Sequence, residues 1–322
     1  MSKNPMPLTH MVEAALALGL DAAFGYPRAL QQRTGHPVEW IGALITALDR
    51  RFNRETDGPP RRRLNGVLAM LATAGSGAAF GWVLQAACGC SRFSPLLRAV
   101  AAVPGLAQRS LLEHVEAVAE PLRKERLGAA RTAVGRIVGR DVDHLDEAGV
   151  ALAVIESLAE SFNDGVVAPA FWLAVGGLPA LYAYKALNTA DSLIGHRETR
   201  WRAFGWASAR ADDLVNLIPA RIAGALIALA GGGGWRTMLR DAPRHASPNA
   251  GWPEAAMAGA LGVQLGGAVA YDGVMTERSV FNAGSADPGT NDLNRALAVY
   301  GRASLLLGAG FLVYGMVRRR AR

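Results

Sequence analysis

Carboxylates, amides and arginines crowd both ends of one apolar stretch of this chain. From Glu156 the sequence reads E-S-L-A-E-S-F-N-D-G-V-V-A-P-A-F-W, and no charge follows between Gly165 and Tyr184. Then come K-A-L-N-T-A-D-S-L-I-G-H-R-E-T-R and R-A-D-D-L-V-N-L-I-P-A-R. Glu156, Glu160 and Asp164 recur at i, i+4 and i+8. At roughly 100° per residue they drift by only about 80°, so a helix holds them on one face. Three carboxylates so placed repel one another unless a cation lies among them. Oxygen donors without His or Cys suit Mg²⁺, which makes these three the candidate metal ligands. Asn188, Asp191, Arg197 and Arg210 lie beyond the apolar run, followed by Asp212, Asp213, Asn216 and Arg221. Guanidinium groups in this number suit phosphate, which they grip with two parallel donors. There is no Ser-His-Asp arrangement and no catalytic cysteine. The residues therefore suit metal-assisted handling of phosphates, with electrostatics rather than a protein nucleophile carrying the catalysis.

The elements that position these groups read as membrane helices. A soluble helix alternates polar and apolar faces; here they segregate lengthwise, as they do when lipid surrounds the middle. Residues 64–91 are uncharged, long enough to cross a bilayer, and residues 165–184 are just long enough. Segments 8–24, 214–234 and 296–317 are further candidates, each carrying one or two charges. The chain is expected to be an all-α, multi-pass membrane bundle in one domain spanning 1–322, with roughly four to six spans or half-spans. Residues 92–147 form its extramembrane helical part. The formal charge of +7 comes largely from arginines at 50–63 and 318–322, beside apolar runs. That is an orientation signal, and it implies no nucleic acid. Cys88 and Cys90 make neither a metal set nor a disulfide framework.

Other segments set the ends of the elements. His36-Pro37 opens an amphipathic surface helix closed by Asp49, Arg50 and Arg51. The acidic run D-V-D-H-L-D-E before residue 148 caps the helix that carries Glu156. Were 165–187 one straight span, the acidic motif and Asn188/Asp191 would face opposite sides of the membrane. Gly176-Gly177-Leu178-Pro179 interrupts it, and a re-entrant helical hairpin that returns both ends to one side is expected. Arg240, His245, Asn249 and Glu254 lie in or beside a rigid loop containing Pro248, Gly251 and Pro253. A Gly/Ala-rich helix over 255–271, a short span or half-span, is expected next, followed by Glu277 and Arg278.

The 156–221 stretch strongly resembles the CobD/CbiB family of cobalamin (vitamin B12) biosynthesis, the membrane-bound adenosylcobinamide-phosphate synthases. Three more segments match in order: L-D-A-A-F-G-Y-P at 20–27, H-P-V-E-W-I-G at 36–42, and R-D-A-P-R-H-A-S-P-N-A-G-W-P-E-A-A-M-A-G-A-L-G at 240–262. Together they cover nearly the whole chain. The family usually has G-D-P where this chain has Gly25-Tyr26-Pro27, which leaves Asp21 as the nearest carboxylate.

The resemblance implies a carbon–nitrogen ligase. Such an enzyme joins (R)-1-aminopropan-2-ol or its O-phosphate to the free propionate of adenosylcobyric acid, driven by ATP. It implies Mg²⁺ at Glu156, Glu160 and Asp164, and phosphates at Arg197, Arg210 and Arg221. Proton acceptance falls to Asp191, Asp212 or Asp213, and substrate orientation to Asn188, Asn216, His245 and Asn249. Glu254 and Arg240 join the catalytic and binding sets. No Walker-type motif locates the nucleotide, and no cobalt ligand is assigned. The implied setting is the bacterial cytoplasmic membrane, with the site facing the cytoplasm. The implied partners are the corrinoid, the amino alcohol, lipid, and a second copy or other late cobalamin-pathway enzymes. The rival readings are a corrinoid transport component and a non-catalytic AmpE-like sensor or scaffold.

Overall fold

The computed structural model describes residues 6–196, 198–271 and 273–320. Thirteen helices run in chain order among these residues. The first seven are α1 (Met6–Phe24), α2 (Arg28–Thr34), α3 (Pro37–Phe52), α4 (Pro59–Ala87), α5 (Ser94–Ala102), α6 (Gln108–Arg123) and α7 (Leu127–Val134). Then follow α8 (Glu147–Phe162), α9 (Ala168–Ile194), α10 (Trp206–Gly231), α11 (Trp235–Asp241), α12 (Gly251–Leu261) and α13 (Thr290–Arg320). Four short strands lie between α12 and α13: β1 (Leu265–Gly266), β2 (Val269–Tyr271), β3 (Val274–Thr276) and β4 (Val280–Phe281). Four helical stretches are long and apolar enough to cross a membrane: Pro59–Ala87, Glu147–Ile194, Trp206–Gly231 and Thr290–Val317. The chain is an all-α, multi-pass membrane protein. Where the sequence suggests one domain, the chain contacts resolve two compact units, each assembled from separate segments.

The first unit comprises residues up to 107, 168–216 and those from 308 onward. At its surface helix α3, His36 Nδ1 accepts the Val38 N–H (3.2 Å) while Glu39 accepts the His36 N–H (3.1 Å). This reciprocal cap fixes the start of the helix. Along α4 the buried positions are Gly66, Ala69, Thr73, Gly77 and Gly81, a stripe of small residues. Small residues let backbones approach closely where lipid supplies no hydrophobic drive. A Cβ on Gly81 would come within 2.3 Å of the Leu178 carbonyl oxygen, and one on Gly77 within 2.4 Å of that of Tyr182. Further along, Ala69 packs with Ala190 and Ile194. Later residues of α9 thus meet earlier residues of α4, so the two run antiparallel.

The expected interruption is present. The Glu147–Ile194 stretch has 48 residues. A straight helix of that length would measure roughly 70 Å, more than twice a hydrocarbon core of about 30 Å. It is broken at Gly176 (φ −135°) and Gly177 (φ 68°), the second conformation being one that glycine adopts without strain. The break strands the Leu178 N–H, and the Gln85 side chain accepts it at 3.1 Å. Pro179 sits where a new helix tolerates it, in the first turn after the break.

The second unit comprises 108–167 and 217–307. Asp146 caps α8 as expected, its carboxylate accepting the Gly149 N–H at 2.8 Å. The helix buries Val150, Val154, Ile155, Leu158 and Phe162, and Phe162 meets Tyr300 edge-on at 5.6 Å. At Asn163–Val167 the α-helix gives way to a π turn. Gly251 opens α12 because a Cβ there would lie 2.4 Å from the Ala242 carbonyl oxygen. The expected helix over 255–271 is a correction. It stops at Leu261, where Gly262 turns left-handed (φ 69°), and with 11 residues α12 is too short to cross a bilayer. β1 then pairs antiparallel with β4, and β2 with β3. Absence of charge suggested a half-span, but the glycines between 262 and 273 close turns instead.

Candidate functional site

Among the described residues, two of the buried polar clusters, one in each unit, contain the motif residues. In the second unit, α8 carries Glu156 inward with 3% of its surface exposed. Its carboxylate accepts Arg140 Nη2 and the Gly266 N–H (2.8 Å), with Arg278 Nη1 at 3.4 Å. Arg278 reaches on to Glu254 with its other nitrogen, Nη2 lying 3.7 Å from Oε2. His245 Nε2 stands 3.9 Å from the other oxygen of Glu254, and its Nδ1 accepts the Ser247 N–H at 3.0 Å. Glu254 is wholly buried on α12, and neither oxygen accepts a hydrogen bond among the described residues.

The electrostatics follow from this placement. Burial, and then the Glu160 and Glu156 carboxylates, push the Glu254 carboxyl well above its ordinary range, despite Arg278 and Arg140. A carboxyl with no hydrogen-bond donor and two anionic neighbours favours its neutral form. Burial, and then Arg278, hold the His245 imidazole below its usual value. Burial works against the Arg278 cation, but Glu156 and Glu254 outweigh it and its pKa rises.

Beside this cluster, Arg221 donates to Asn249 Oδ1 (3.3 Å) and lies over the Trp252 ring, 4.6 Å from its centroid. Arg240 makes a two-pronged pair with the neighbouring buried Asp241 (2.8 and 2.7 Å). That contact, first of all, holds the Asp241 carboxyl below its ordinary range.

In the first unit the motifs around Asn188 and Asp212 come together. Asp212 accepts from Asn188 Nδ2 (3.3 Å) and from Asn216 Nδ2 (3.1 Å), one turn along α10. Tyr184 OH donates to Asn216 Oδ1 at 3.2 Å. Asp191 lies on the last turns of α9, partly buried. Asp213 forms an i,i+3 ion pair with the exposed Arg210 (2.9 Å). Arg197 lies outside the described residues.

The magnesium ligands expected at Glu156, Glu160 and Asp164 are not assembled. Among the described residues no group of three His, Cys, Asp or Glu is placed to hold a metal ion. Two causes are visible. Glu156 is committed to two guanidinium groups and a backbone N–H, while Glu160, though exposed, acts on the Glu254 carboxyl beside the cluster. Asp164 sits in the π turn, where the regular 100° spacing has ended, and accepts from the Asn163 amide at 2.8 Å. Arg140 and Arg278 were not among the candidate residues, and neither was Tyr184. Tyr184 precedes Asn188 by four residues and so shares its helix face, a legible signal. The arginines lie 16 and 122 residues from Glu156, beyond the reach of helix spacing.

Buried ion pairs and hydrogen-bonded amides on apolar helices define a polytopic membrane protein with polar interior sites, a setting in which charge is by default functional. The comparisons name the family. The CobD/Cbib protein model matches residues 14–300, and the chain belongs to the CobD/CbiB family of cobalamin biosynthesis proteins. A Cobalamin biosynthesis protein CobD from Rhodobacter capsulatus is 49% identical over 305 residues, covering 94% of this chain and 95% of the relative. One from a Sinorhizobium species is 46% identical, covering 97% and 100%. The Brucella suis protein of that name is 43% identical, covering 90% and 92%. No solved structure matches the chain.

Proposed function

We propose that this protein is the ligase that joins (R)-1-aminopropan-2-ol, or its O-phosphate, to the propionate of adenosylcobyric acid at the cytoplasmic membrane. A carboxylate is a poor electrophile. ATP supplies the activation: the propionate oxygen takes the γ-phosphoryl group and ADP departs. The amine then attacks the acyl carbon, inorganic phosphate leaves, and the amine gives up a proton. The observation that carries the reading is the cluster of Glu254, Arg278 and His245. It gathers a buried carboxyl, a cation and an imidazole out of water, where such groups act most strongly. Arg278 and Arg221 hold anionic oxygens of the substrates. ATP and Mg²⁺ belong to this proposal, but Glu156 does not fit a metal-ligand role and no step is assigned to the ion.

Purified protein in detergent, given adenosylcobyric acid, ATP, Mg²⁺ and either amine, is expected to yield a corrinoid heavier by the amine less one water, with ADP formed in equal amount. Arg278→Gln is expected to lower turnover by about 10²-fold or more, in the range for loss of one preorganised electrostatic donor. Unchanged corrinoid mass with both amines would overturn the reading; a transport or scaffold role would give that outcome.

A further inference from the structure

An open cavity of about 620 Å³ lies in the second unit, between the segment entering α8 and the strands that follow α12. Its size falls in the usual range for small-molecule sites, about 300–1,000 Å³. Arg140, Asp141 and Asp143 line one wall, and Gly266, Val269 and Met275 line the other. Its lining includes part of the acidic run that precedes α8 but none of the candidate catalytic, metal or phosphate-binding residues, yet the buried cluster builds it. Glu156 takes Arg140 from one wall with one carboxylate oxygen and the Gly266 N–H from the other wall with its second oxygen. The opposing edge is tied in the same way. The Asp141 N–H donates to the Ala270 carbonyl oxygen (2.9 Å), and Asp141 Oδ2 accepts the Gly273 N–H (2.8 Å). A pocket braced at both ends by buried hydrogen bonds is pre-formed, which lowers the cost of ordering it around a ligand.

The chemistry of the walls describes the occupant. Most of the lining is apolar, with Leu152, Val269 and Met275 among it. Arg140 lines the cavity and gives Nη2 to Glu156, and its guanidinium has two further nitrogens able to donate. Asp143 is exposed at the rim and acidic, suited to N–H donors. A fitting ligand is broad and mostly apolar, carries amide donors on its edge, and has one carboxylate. We propose that this cavity is the docking site for the corrinoid substrate, with the free carboxylate turned toward Arg140 and peripheral amides toward Asp143. The assignment rests on the ligase reading above and deepens it.

The test is equilibrium binding of cobyric acid to the full-length protein in detergent, followed by the visible absorbance of the corrinoid, for wild type, Ala268→Trp and Asp143→Asn. Ala268 is exposed and lines the cavity without joining any of its ion pairs, so a tryptophan there fills the space and leaves the bracing intact. Ala268→Trp is expected to weaken binding at least tenfold with the thermal transition unchanged. Asp143→Asn is expected to weaken it about three- to tenfold. Cobinamide, in which the carboxylate has become an amide, is expected to bind wild type more weakly than cobyric acid. Wild-type binding with both variants unaltered overturns the cavity assignment and leaves the ligase reading standing. No binding and no turnover by the wild type overturns both. Equal binding of cobyric acid and cobinamide overturns the role given to Arg140.

Discussion

In the second unit, Glu156 is buried against two guanidinium groups and a backbone N–H. In the first, Asp212 is buried beside the amides of Asn188 and Asn216, one of them tied to the Tyr184 phenol. Both carboxylates lie on apolar helices, where a charge needs partners. A guanidinium cancels the charge and locks the geometry. An amide hydrogen-bonds the oxygen atoms and adds no charge of its own. The guanidinium pairs are the architectural half. Among the described residues Glu254 has neither kind of partner at hydrogen-bond distance, and burial shifts its carboxyl toward the neutral form.

Removing a guanidinium tests the architectural half. In Arg140→Ala, Glu156 loses its most buried cation, and a loss of about 3–5 kcal/mol is expected, the usual cost of leaving one partner of a buried pair behind. Chemical or thermal unfolding in detergent measures it, and a loss below about 1 kcal/mol would put Glu156 in the same class as Asp212.

Next in size is the helix break of the first unit. Gln85→Leu leaves the Leu178 N–H without its acceptor and is expected to cost about 1–3 kcal/mol in the same assay.

Glu254 separates the units by pH. Its folded pKa is raised, so its contribution to stability is complete below its ordinary value of 4.5 and is lost as pH climbs through the raised value. His245, whose pKa is lowered, contributes the opposite slope as pH falls below its ordinary 6.5. The wild type minus Glu254→Gln difference isolates the first effect. The variant is expected to match wild type near pH 4.5 and to be relatively more stable at higher pH. A flat difference from acid to alkaline pH would mean that Glu254 is ionised and paired.

The smallest effect is expected at Arg210→Ala. Its ion pair with Asp213 is more than half exposed on the arginine side, and such pairs contribute about 0.5 kcal/mol or less. A large loss of turnover without loss of stability would move Arg210 from surface to site.

How far the sequence could be read depended on distance along the chain. The spans, the Asp146 cap and the Gly176–Gly177 break are local, set by hydropathy, capping chemistry and backbone freedom over a few residues. Asn188, Asp212 and Asn216 were legible as a set because each lies on a regular helix in a dense polar motif. Glu156, Glu160 and Asp164 are not gathered as a group of three among the described residues, because periodicity gives a face but not what meets it, and because a π turn after Phe162 ends the period.

The sequence by itself determined the membrane-helix architecture, the family and the polar motifs that mark where chemistry is found. Only the tertiary structure decided which charges cancel. It brought Arg140 and Arg278 to Glu156, left Glu254 without a hydrogen bond, and opened a cavity between segments more than a hundred residues apart. The physical reason is that burial and Coulomb interaction depend on distance through space, which the order of residues fixes only after the chain has folded.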